Sequence, residues 1–207
     1  MAPWLFFPLD NEVLALDLLA MNRFWNLCLR AVTNPKGEIS NFRGSIFEEQ
    51  ARNFLIKNIK LKPEHIPIKP GTKLKDDKSD YGDIDFAFLW NDMLINLDMK
   101  SWQKSLEYLR GDFLVIDNRQ KELQHQINGK PSSLKKRGKK LVEILRRSDK
   151  TISGVLSFLC VPHVEFISKK YESLWYGDIP RVLTPAELAT ILKNDESLHS
   201  LKDFLIE

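Results

Sequence analysis

The chain has 207 residues, 43% hydrophobic and 29% charged, with a formal net charge of +3. This is enough apolar material for one domain with a real core plus extensions. No run of 18 or more uncharged apolar residues occurs, so no membrane-spanning segment is expected.

The apolar start, "MAPWLFFPLDNEVLALDLLAMNRFW", lacks a basic leader and is broken by Pro8, Asp10, Glu12 and Asp17, unlike a secretory signal. Val13, Leu16, Leu19, Ala20, Phe24, Leu27 and Ala31 recur at three- and four-residue steps, which predicts a helix over 12–33. Residues 1–40 are therefore expected to form a helical extension ahead of the main domain, 41–207. "TNPKGEIS" reads as a loop. A second helix is predicted from Gly44 to Lys57, with Phe47, Ala51, Phe54 and Leu55 as its buried stripe. At about 100° per residue Glu48 falls at the edge of that stripe, beside Leu55, and Glu49 falls on the solvent side. Pro63, Pro67 and Pro70 punctuate the next stretch. A short strand is expected near His65 to Ile68, then a mobile loop over "GTKLKDDKSD".

Residues 83–100 read as a hairpin: strands from Asp83 to Trp90 and from Met93 to Lys100, joined by Asn91-Asp92. A two-residue turn fixes the register. Trp90 then faces Met93, Phe88 faces Ile95, Phe86 faces Leu97, Asp85 faces Asp98 and Asp83 faces Lys100. Alternation puts Asp83, Asp85, Asp98 and Lys100 on one side. Ile84, Phe86, Phe88, Ile95, Leu97 and Met99 lie on the other, the core side. Opposed carboxylates repel and resist double ionisation unless positive charge is supplied. A divalent cation relieves that cost, and hard oxygen ligands favour Mg²⁺ or Mn²⁺. The plainer alternative, an Asp83–Lys100 salt bridge with Asp85 capping a turn, leaves the Asp85–Asp98 pair unexplained.

Beyond the hairpin, "QKSLEYLRGDFLVIDNRQKELQHQI" is expected to be helical at its ends, and 135–147 to be a basic helix. From Lys130 to Lys150 nine Lys or Arg stand against Glu143 and Asp149, a local net charge of +7 that leaves −4 for the rest. A basic segment on a mildly acidic body points to a phosphate-rich partner, the plainer reading being a solvated helix face. "TISGVLSFLC" reads as a buried strand, and "HVEFI" and "RVLT" as shorter ones. "TPAELATIL" opens with Thr184, Pro185 at the first helical position and Glu187 three residues on from Thr184, a helix start. Cys28 and Cys160 sit in apolar runs without metal-type spacing and are expected to be buried free thiols in a reducing cytoplasm. The four histidines are scattered, so no zinc site is expected.

Taken together, Gly44, Phe47 and Glu48 on a helix, then "YGDID", then Asp98-Met99-Lys100 after a hydrophobic strand resemble the PD-(D/E)xK nuclease superfamily, and in particular its nuclease-related NERD domains. The resemblance covers about residues 42–194 and takes in a Gln-bearing helix, a second helix, a strand and a closing strand and helix. It implies an α/β (α+β) fold with a restriction-endonuclease-like core, a central mixed β-sheet flanked by helices. It implies metal ligation by Asp85 and Asp98, with Glu48 contacting the metal or its water. Lys100 would orient the attacking water or stabilise charge at phosphorus. Gln124 resembles a helical Gln of related nucleases, and Asp83, where the family often carries Glu or varies, is secondary. Lys135, Lys136, Arg137, Lys139 and Lys140 are the expected grip on the nucleic-acid backbone. The expectation is a Mg²⁺-dependent endonuclease, with Mn²⁺ substituting, acting on DNA, in a homodimer or a larger polypeptide or complex. The alternatives are a non-catalytic nucleic-acid-binding or assembly module on the same fold, and an adaptor whose basic helix binds an acidic protein.

Overall fold

The structure, a computed structural model, describes residues 6–8, 14–16, 38–76, 79–102, 104–129, 133–147, 151–194 and 201. The chain divides into two units, Met1–Ser45 and Ile46–Glu207. In the first, Phe6–Pro8 (β1) and Leu14–Leu16 (β2) form an antiparallel pair with Phe6 opposite Leu16. This corrects the helix expected over 12–33 at Leu14–Leu16. In a short apolar run, helical spacing and strand alternation coexist, and periodicity alone does not separate them. The remainder of that span, Cys28 included, lies outside the described residues. Helix α1, Glu38–Asn58, begins earlier than expected and runs from the first unit into the second.

The second unit is mixed α/β. Its sheet has the order β10-β7-β6-β5, where β5 is Phe86–Trp90, β6 Met93–Met99, β7 Gly154–Cys160 and β10 Val182–Leu183. β5 runs antiparallel to β6, while β7 is parallel to both β6 and β10. Among the described residues the β6-to-β7 crossover carries three helices: α2 (Leu106–Leu109), α3 (Phe113–Gln124, continued by a π turn to Gly129) and α4 (Leu134–Arg146). Helix α5, Pro185–Lys193, closes the fold behind the expected Thr184–Glu187 capping box.

Helices cover both faces of the sheet. Ala51 and Leu55 of α1, Ile59 just beyond it, and Leu188, Ala189 and Leu192 of α5 pack with Phe86, Phe88, Ile95, Leu97 and Phe158. On the opposite face Leu141, Val142 and Leu145 of α4 meet Ala87, Leu94 and Val155, and Leu123 and Ile127 meet Leu159 and Val182. Every residue of β6 and β7 is buried, as strands covered on both faces must be. Phe54, expected in the buried stripe of α1, is 39% exposed, because the stripe follows Ala51, Leu55 and Ile59 at four-residue steps. Cys160 is a buried free thiol, and burial pushes it up to about 12.

Three local expectations change. Near His65–Ile68 the chain makes a 3-10 turn, Pro63–His65, instead of a strand, closed by the Lys62 N–H donating to His65 Nδ1 at 3.0 Å. The loop expected over 71–80 contains Lys73–Lys75 (β3), which pairs with Asp80–Asp83 (β4). "HVEFI" forms no strand, because side chains take up its backbone groups: the Phe166 N–H donates to Tyr108 Oη at 2.8 Å, and the Ser168 N–H just beyond it to Gln120 Oε1 at 2.6 Å.

β10 is too short to line β7 along its length. The Val161 and Leu159 N–H groups donate to the carbonyls of Leu183 and Arg181 at 2.9 and 2.8 Å. The next group in the series, the Ser157 N–H, donates to Tyr176 Oη at 3.0 Å. Tyr176 stands where Trp175–Tyr176 (β8) pairs with Ile179–Pro180 (β9).

Candidate functional site

The hairpin forms with the expected register: Trp90 opposite Met93, Phe88 opposite Ile95, Phe86 opposite Leu97. Asn91 takes φ 55°, a left-handed conformation that Asn tolerates in a tight turn. The ladder then stops short of the acidic residues. Ile84 is drawn away from β6: its N–H donates to the Thr72 carbonyl at 3.0 Å, and its own carbonyl accepts from the Gly71 N–H at 2.7 Å. Ile84 therefore packs with Leu74, Ala87 and Leu94 on the α4 side of the sheet, not with Phe86 as expected. Asp83 pairs with Lys73 in the small β3–β4 sheet and is exposed, which corrects its placement opposite Lys100.

The break creates the site. The Met99 N–H, left without a ladder carbonyl, donates to Asp85 Oδ2 at 2.6 Å. Asp85 and Asp98 are thereby brought close enough for each carboxyl to act on the other's charge. Lys100 Nζ lies 3.0 Å from Asp98 Oδ1 and 3.8 Å from Asp85 Oδ2. Arg137 of α4 comes from above: Nη2 lies 3.2 Å from Asp98 Oδ1, and Nη1 donates to the Asp83 carbonyl at 2.7 Å. Asp98 is 2% exposed because α4 covers its face of β6, so its charge persists only with cations beside it.

The two carboxyls are pushed apart. Burial, then the charge of Asp98, raises Asp85 to about 7. Burial also acts to raise Asp98, but the Lys100 and Arg137 cations outweigh it and hold that carboxyl below its usual range. Burial would lower Lys100, and the two aspartates overcome it and raise the ammonium. Near neutral pH the pair thus keeps one firm negative charge and one that is proton-shared.

Glu48 is half-buried on α1 and Glu49 exposed, as helix geometry requires. Glu48 does not touch the aspartates directly. Its Oε2 lies 4.0 Å from Arg52 Nη1, which donates to the Asp85 carbonyl at 3.3 Å. Among the described residues no cluster of three or more His, Cys, Asp or Glu side chains is arranged to hold a metal ion. The Asp85–Asp98 pair alone matches the one or two carboxylates that Mg²⁺ usually takes. Burial, the first cause of the raised Asp85 carboxyl, disfavours its charged form, and a cation bound at the pair would favour that form.

The basic helix divides. Lys135, Lys136 and Lys139 are exposed. Arg137 is buried in the site, and Lys140 pairs with Asp76 at 3.5 Å and Glu143 at 3.0 Å, so neither is the surface grip expected. Gln124 is half-buried near the end of α3, and no contact with the aspartates supports the role expected of it. Arg52 escaped the sequence reading, and so did the burial of Arg137 against Asp98. The signal for Arg137 was present: it falls on the same helical stripe as Leu134, Leu141 and Leu145, where a cation needs a buried anion.

Comparison of the chain with known protein families, with curated proteins and with solved structures returned no match. No helix among the described residues is long and apolar enough to cross a membrane.

Proposed function

We propose that the protein is a metal-dependent nuclease of the PD-(D/E)xK type, acting on DNA. The observation that carries the reading is the convergence of Asp85, Asp98 and Lys100, with one ammonium touching both carboxylates at the broken end of a hairpin. Asp85 and Asp98 are the residues that would hold Mg²⁺ or Mn²⁺, and Glu48, linked through Arg52, is assigned to the edge of the same site. When bound, the ion supplies Lewis-acid polarisation of a phosphoryl oxygen and acidification of a bound water. Lys100, one-third exposed, is placed to donate to a phosphate oxygen as negative charge develops there. Asp98, fixed by Lys100 and Arg137, holds the ammonium in that direction. Lys135, Lys136 and Lys139 supply backbone affinity without base readout.

The test is cleavage of labelled linear, circular and single-stranded DNA and of RNA, with Mg²⁺, Mn²⁺ or chelator. Asp98→Asn and Lys100→Ala are expected to lower the rate roughly 10²- to 10³-fold. Glu49→Ala, on the solvent side of α1, is expected to stay active. A second reading, a non-catalytic nucleic-acid-binding module, draws on one observation: Lys100 and Arg137 already balance both aspartates. Binding without cutting under every divalent cation would select it.

A further inference from the structure

Helix α4 presents Lys135, Lys136 and Lys139 to solvent while burying Leu134, Arg137, Gly138, Leu141, Val142 and Leu145. We infer that α4 sets the geometry of the acidic pair, with Arg137 as the positioning residue and Gly138 fixing how deeply the helix sits. The consequence for cleavage rests on the nuclease reading, whereas the structural half rests on geometry alone.

Arg137 reaches two separate strand ends at once. One guanidinium edge holds the Asp83 carbonyl at the end of β4, and the other lies at Asp98 Oδ1 in β6. Asp83 is two residues before Asp85, so Arg137 constrains the backbone leading to one carboxylate and the side chain of the other. A planar fork spans both contacts, and a lysine ammonium does not reproduce that geometry.

The depth of the helix is set independently. A Cβ on Gly138 would lie 2.6 Å from Ser157 Oγ and 3.2 Å from Val155 Cγ2, so α4 sits closer to the sheet than a side chain at this position allows. The same turn is fastened by the Leu134 carbonyl, which accepts from Asn96 Nδ2 at 3.2 Å and Ser157 Oγ at 3.4 Å. Lifting α4 withdraws Arg137 without altering any charge. A phosphate backbone gripped by the outer lysines is likewise held in register with the aspartates through this one helix.

The experiment compares Arg137→Gln, Arg137→Lys, Gly138→Ala and the double variant Gly138→Ala/Ser157→Ala with the wild type. The metal-free readout is hydrogen exchange of the Met99 amide by NMR, because that N–H is held by Asp85 Oδ2. The loaded readouts are Mg²⁺ affinity by calorimetry and kcat and KM on a labelled oligonucleotide. Gly138→Ala is expected to speed Met99 exchange, weaken Mg²⁺ binding and lower kcat by up to roughly 100-fold with KM nearly unchanged. Removing Ser157 Oγ in the double variant relieves the clash while Asn96 Nδ2 still fastens the Leu134 carbonyl, and is expected to restore most of all three. Arg137→Gln is expected to match Gly138→Ala, and Arg137→Lys to recover part of kcat. Wild-type Met99 exchange in folded Gly138→Ala and Arg137→Gln overturns the inference, as does a loss that Ser157→Ala fails to relieve. Should the wild type cut nothing, the nuclease reading falls, and Met99 exchange in the same variants still decides the positioning role.

Discussion

Asp85 carries a pH signature of its own. Its folded carboxyl titrates at about 7 against an ordinary value of 3.8, so between those values the folded state holds a proton that the unfolded chain has released. The contribution is favourable at low pH and is lost as pH rises through 7. Asp98 is shifted downward and acts below the ordinary carboxylate range, outside this window. The urea midpoint of the metal-free protein is therefore expected to fall between pH 5 and pH 8. Asp85→Asn should flatten the fall, and Mg²⁺ should oppose it at pH 8. An Asp85→Asn protein with the wild-type slope would assign the titration elsewhere. That Asp85 and Asp98 come near each other was legible because a two-residue turn runs the strands back to Phe86 opposite Leu97, whereas their actual contact depends on the break beyond that pair. The exposure of Asp83 was not, because Gly71 and Thr72 pull Ile84 out of the strand through bonds that no local pattern announces.

At the scale of elements, the basic helix and the closing helix behave differently. Replacing Lys135, Lys136 and Lys139 with Ala is expected to reduce the slope of log K against log[salt] for DNA binding by roughly 2–3, about 0.9 for each phosphate no longer neutralised. Lys140→Ala should add little, since Asp76 and Glu143 already hold that ammonium. Fluorescence anisotropy from low to moderate salt checks both. Helix α5 was readable almost to the residue because its start is written locally: Thr184 Oγ1 accepts from the Glu187 N–H at 3.3 Å, and Glu187 Oε2 accepts from the Thr184 N–H at 2.8 Å. Thr184→Ala is expected to cost about 0.5–2 kcal/mol in urea unfolding. Among the failures, the "HVEFI" strand depends on partners distant in sequence, Tyr108 and Gln120, whereas the loop over 71–80 closes on itself as a short hairpin, Lys73–Lys75 with Asp80–Asp83.

Across the molecule, β7 is the strand on which the packing converges. Phe158 belongs to the core under α1 and α5, Val155 to the core under α4, and Leu159 to the core beneath α3. Phe158→Ala is expected to cost about 3–5 kcal/mol. Phe113→Ala, at a site 72% exposed, should stay within about 0.5 kcal/mol, with chemical denaturation distinguishing the two. The general α/β character was legible from the alternation of apolar strands and helices, whereas the strand order was not, because β10 reaches β7 only through a connection without regular periodicity. The phenol beside Ser157 has a consequence for self-association. Past the end of β10, the flank of β7 would present open backbone groups, the feature that recruits foreign strands into aggregates. Tyr176 accepts from the Ser157 N–H there, and its hydroxyl shares the Ser157 carbonyl with Arg181 Nε, each donating at 3.3 Å. A phenylalanine at this position would fill the space yet leave the Ser157 N–H open while Arg181 still held the carbonyl, making that donor the place where a partly opened molecule first captures a strand from its neighbour.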